Sequence, residues 1–78
     1  MLPKETRQVE NSALTLWNEI MELMKAIDLD VRKNVAGNSS AGVRARKGLR
    51  TLKAKAAALT KLTVENDKAR RAEKTASE

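Results

Sequence analysis

The feature that most constrains this chain is a run of apolar residues at Val9, Ala13, Leu16, Ile20, Leu23 and Ile27, spaced four, three, four, three and four. A 3.5-residue repeat sustained this long keeps one face of an α-helix apolar and does not fit a strand, whose side-chain period is two. Trp17, Met24 and Val31 widen the stripe at seven-residue intervals, and Leu14 and Met21 widen it further. The apolar arc then covers about half of the helix circumference at 3.6 residues per turn. One partner helix covers only part of such an arc, so a surface for a second chain is predicted. Leu16, Trp17, Ile20, Leu23, Met24 and Ile27 are the predicted core or dimer residues, with Trp17 shielded from solvent.

Punctuation follows at Val35-Ala36-Gly37-Asn38-Ser39-Ser40. Gly37 suits a left-handed C-terminal position, and Lys33 suits the last turn of the first helix. Ser39 or Ser40 can cap the next helix. That helix has a seam at Ala45, Leu49, Leu52, Ala56 and Leu59, extended by Leu62, so Leu49, Leu52 and Leu59 join the predicted core. Gly42 and Gly48 interrupt it with poor helix formers and permit close approach by a backbone or a phosphate. The expectation is one all-α domain over residues 1–78. Helix 1 spans about 5–35, a turn about 36–40, helix 2 about 41–68, and a frayed tail 69–78. So short a connection joins antiparallel neighbours. The hairpin is expected to dimerise into a four-helix bundle or an antiparallel coiled coil.

Composition removes the alternatives. A single aromatic residue, with Val, Ile and Thr scattered, leaves little from which to build a sheet. A chain of 78 residues without Cys or His has no disulfide or ordinary zinc site to reinforce a small core, which makes a homodimer the natural remedy. The longest apolar run, Ala56-Ala57-Ala58-Leu59, is too short to span a bilayer, and the N-terminus has no apolar stretch of the signal-peptide kind. No cofactor, metal or membrane association is expected. The predicted location is the cytoplasm, nucleoid-associated, or the cytoplasm of a phage-infected host.

Charge points to the partner. The formal net charge is +6, but residues 1–38 hold five cations against six carboxylates, and residues 39–78 hold eleven against four. Between Ser39 and Val64 there are seven cations and no acid. On a helix, Arg46, Lys47, Arg50, Lys53 and Lys61 fall opposite the Leu49/Leu52/Leu59 seam, with Arg44 and Lys55 flanking them. A solvated face ordinarily interleaves both signs. A face of one sign reads as a phosphate-binding surface, with double-stranded DNA as the expected partner. Trp17 lies away from the cations, so there is no aromatic platform for stacking bases.

Enzymatic readings fail on the residues. Gly37 and Gly42 have a phosphate-loop spacing, but Val43-Arg44 follow where Lys and Ser or Thr are needed. Glu19 with Glu22, or Asp28 with Asp30, read as solvated carboxylates because nothing else converges on them. Ser39 and Ser40 have no His to serve as a base.

The stretch Gly37-Asn38-Ser39-Ser40-Ala41-Gly42-Val43-Arg44-Ala45-Arg46 resembles the Gly-Asn-x-x-Ala-x-x-Arg-x-Arg turn and helix of the chlamydial-type, linker-histone-like bacterial nucleoid proteins. Leu52-Lys53 continues the likeness. The resemblance implies a small helical DNA-binding protein with Arg44, Arg46 and Lys47 on DNA. This chain has Ser39 and Ser40 where the family often has a loop Lys, and a mixed-charge end where the best-known members carry a long Lys/Ala-rich tail. The function expected is non-enzymatic, largely sequence-independent binding of DNA phosphates. The alternative is a basic protein-interaction module, such as an assembly subunit or a phage-encoded inhibitor of an acidic host protein.

Overall fold

The structure is a computed structural model that describes the backbone of residues 4–77 and the side chains of residues 11–72. Pro3, Glu78 and the side chain of Val9 lie outside the described residues. Two helices, α1 (Lys4–Val35) and α2 (Ser39–Ser77), pack against each other as an antiparallel hairpin about 61 Å long. The α2 helix continues past the point near residue 68 where fraying is expected.

The turn is built by two residues. Gly37 adopts φ 107°, the left-handed conformation that costs a residue with a Cβ about 1–2 kcal/mol. Its N–H donates to the Asn34 carbonyl (2.9 Å), and the Asn38 N–H reaches back to the Lys33 carbonyl (3.0 Å). These two bonds form a Schellman closure, which satisfies carbonyls that the end of α1 leaves unpaired. Asn38 then begins the next helix, for its Oδ1 accepts the Ala41 N–H at 2.9 Å. The cap of α2 is therefore Asn38, not Ser39 or Ser40, which already lie inside the helix.

The α1 seam meets α2 as its heptad spacing requires. Ile20 and Ile27 are buried, and Ala13, Leu16 and Leu23 half-buried. The α2 seam is shifted from expectation. It runs through Ala41, Ala45, Gly48, Leu52, Lys55, Leu59, Leu62, Asn66 and Ala69, so Gly48 and Lys55 replace the predicted Leu49 and Ala56. Leu49 is 47% exposed. The turn sets this phase. Ala41 and Ala45 are fully and nearly fully buried against α1, and steps of three and four from them lead to 48, 52, 55 and 59. Gly48 fits because Ile27 fills the space that a side chain would take: a Cβ there would lie 2.7 Å from Ile27 Cγ1. The close approach at both helix glycines is thus made by α1 side chains, Ile27 at Gly48 and Asn34 at Gly42.

Trp17 lies outside the core of the hairpin. It is 44% exposed, and Met24 43%, so in the single chain neither is core. They lie round the helix from the seam that faces α2.

Candidate nucleic-acid interface

The seven predicted phosphate-binding residues all lie on α2, and α1 divides them into two groups. Arg44 and Lys55 lie over α1. The Arg44 guanidinium donates through Nε to Asp30 Oδ1 at 3.1 Å, and the Asp30 side chain is only 19% exposed. Lys55 occupies a seam position, and its Nζ reaches Glu19 Oε2 at 3.1 Å. Both pairs tie one helix to the other on the same side of the hairpin, so these cations serve the fold as well as the charge.

Of the other five, Arg46, Arg50, Lys53 and Lys61 lie away from the seam, whereas Lys47 stands at the rim of a groove shared with Leu23, Ala26, Ile27 and Asp30 of α1. Arg46, Lys47, Arg50, Lys53 and Lys61 are all exposed, and among the described residues none has a carboxylate partner. Arg46, Arg50 and Lys53 follow at intervals of four and three, which stacks them along one ridge of the helix. Such neighbours repel by a few tenths of a kcal/mol each. A chain of phosphates along this ridge would turn the repulsion into attraction.

Persistence of α2 to Ser77 adds residues that the seven omit. Lys68 lies seven residues beyond Lys61 and Arg71 lies near the same face, both exposed. The seven-residue interval was the available signal; the expectation of a frayed tail concealed it. From Arg46 to Arg71 the ridge spans roughly 38 Å at 1.5 Å per residue, more than one turn of duplex DNA.

The acidic residues offer no rival site. Among the described residues no group of carboxylates could hold a metal ion. Glu22 pairs with Lys25 at 3.1 Å and Asp28 with Arg32 at 2.9 Å, each within α1, while Glu19 and Asp30 are taken by Lys55 and Arg44. No helix among the described residues is long and apolar enough to cross a membrane.

The resemblance carried by the turn has a structural meaning. Gly37 and Asn38 make the reversal, Ala41 is buried at its base and Arg44 bonds Asp30. Arg46 is exposed, as are the intervening Ser39, Ser40 and Val43. The family described as Histone H1-like protein Hc1 matches the chain over residues 15–69, from within α1 through the turn and most of α2. No curated protein and no solved structure matches it.

Proposed function

The chain belongs to the histone H1-like protein Hc1 family, and from that premise we propose that it binds duplex DNA at the nucleoid without catalysis, through the outward ridge of α2 and as a homodimer. The observation that carries this reading is the division of the cations. Those over α1 are neutralised by acids, whereas Arg46, Lys47, Arg50, Lys53 and Lys61 form one acid-free, solvent-facing surface on a continuous helix. Lys and Arg on a straight ridge contact phosphates, which lie on every sequence alike, so sequence preference is weak. The homodimer rests on the exposed Trp17 and Met24 and on a core too small for a self-sufficient domain.

Five phosphate contacts per chain give a slope of log affinity against log salt of about −4 to −5 for each chain engaged. Replacing Arg46 and Arg50 together with Ala flattens this slope by about two units per chain. The fold is expected to stand, because among the described residues neither side chain forms an ion pair with α1, and circular dichroism checks it. Electrophoretic retardation of random-sequence duplexes across a salt series measures both effects. A protein that retards no duplex at about 50 mM salt overturns the reading. Equal binding by the double variant places the contacts elsewhere.

A further inference from the structure

A second heptad stripe on α1 has no partner in the hairpin. Leu14, Trp17, Met21, Met24, Val31 and Val35 are each 36–83% exposed, with Asp28 at the remaining heptad position. Their spacing is three, four, three, four, three and four once Asp28 is counted. The stripe lies roughly a quarter turn round α1 from the seam that meets α2. By helical phase, the exposed Leu49 falls on the same side of the hairpin, and the ion pairs Arg44–Asp30 and Lys55–Glu19 on the other.

The occupant follows from period and charge. A 3.5-residue repeat held over six turns stays covered only by another helix lying alongside. The α1 stripe of a second copy has the same length and period. The α2 helix of a second copy offers little apolar surface there beyond Leu49 and Ala56. Two-fold symmetry then leaves two arrangements. If the paired α1 helices are antiparallel, both α2 helices fall on the same side, next to each other. Each carries eleven cations against three acids over Ser39–Ser77. Packed helices lie about 8–10 Å apart, close to one Debye length at physiological salt, so this repulsion is only partly screened. If the α1 helices are parallel, the α2 helices fall on opposite sides. The like charges that meet are then Asp28 and Asp28 of the second copy, each already bonded to its own Arg32 at 2.9 Å.

We propose that two copies pair through this α1 stripe in parallel, so that their basic ridges point in opposite directions and one dimer bridges two duplexes. The bridging half rests on the DNA-binding reading above; the pairing half does not. It places one chain on each duplex.

The chain has no cysteine, so single thiols report the pairing. Residues 14 and 35 lie roughly 32 Å apart along α1. Parallel pairing lets Leu14→Cys alone form a disulfide-linked dimer in the full chain, well above the background set by Ala58→Cys on the ion-pair side. Antiparallel pairing instead requires mixing Leu14→Cys with Val35→Cys, and that result, or background-level linkage throughout, overturns the proposal. Bridging is read by immobilising one duplex on beads and measuring capture of a second, labelled duplex. Wild-type protein captures it. The charge-neutral pair Trp17→Ser with Met24→Ser still retards a single duplex but loses capture at least tenfold, with helix content checked by circular dichroism. Wild-type protein that retards DNA but captures no second duplex overturns bridging. Wild-type protein that retards no DNA overturns the DNA-binding reading instead, and the thiol result still decides the pairing.

Discussion

Gly48 shows how one residue can reverse an ordinary rule. In a helix interior, Ala is favoured over Gly by about 1 kcal/mol. Here the Ala methyl would sit 2.7 Å from Ile27 Cγ1 and 3.3 Å from Cδ1, and Ile27 is buried. Overpacking of that kind costs about 1–3 kcal/mol, so Gly48→Ala destabilises the hairpin in urea denaturation. In an Ile27→Ala background the obstruction is gone, and Gly48→Ala becomes stabilising by about 1 kcal/mol. A cycle with the same sign in both backgrounds would refute the close contact. At the turn, Gly37→Ala meets no atom within 4 Å, so its cost of about 1–2 kcal/mol arises wholly from the left-handed backbone. Asn38→Ala removes the acceptor for the Ala41 N–H and costs about 1 kcal/mol, whereas Asn38→Asp keeps the cap.

At the scale of the elements, the proposed division of the α2 cations between fold and DNA is tested by Lys55. It sits in the seam between Leu52 and Leu59 and pairs with a half-exposed Glu19. A pair so exposed contributes about 0–1 kcal/mol. Leucine at this position would add apolar burial at roughly 25 cal/mol per Å². Lys55→Leu therefore holds or raises the melting temperature, and the salt slope of DNA binding changes by less than about half a unit. Arg50→Ala has the opposite profile: unchanged stability and a slope flatter by about one unit. If Lys55→Leu flattens the slope as much as Arg50→Ala does, the seam and the ridge are not separate in function.

The whole molecule is a rod, 61 × 17 × 13 Å, whose described core holds only four nearly inaccessible apolar residues: Ile20, Ile27, Ala41 and Ala45. Under the proposed pairing, association supplies part of its stability, and mass action is expected to raise the melting temperature with protein concentration. Trp17 reports the same event. It is 44% exposed in one chain, so its emission shifts to shorter wavelength as dimer forms. Trp17→Ala should accordingly weaken association rather than impose the roughly 3–5 kcal/mol of a core tryptophan on the single chain. Emission and melting temperature that stay constant over a hundredfold dilution would place Trp17 outside any interface.

The sequence by itself determined two helices, their antiparallel hairpin, the α1 seam and the acid-free basic segment, because heptad spacing, a Gly-Asn turn and charge sign are local properties. It also held two signals that a search for the bulkiest residues overlooks: Ala41 and Leu62 fit a seam through Gly48 and Lys55 better than one through Leu49 and Ala56. Tertiary structure decided the rest. Steps of three and four allow either 48 or 49 after Ala45, and only the turn geometry with Ile27 against Gly48 selects the phase. The same choice turned Arg44 and Lys55 toward Asp30 and Glu19 and left the cations from Arg46 to Lys61 without a carboxylate partner among the described residues, while the α1 face that meets α2 left Trp17 at the surface. Which of several equivalent helix faces is buried depends on the partner helix, whose position no local pattern encodes.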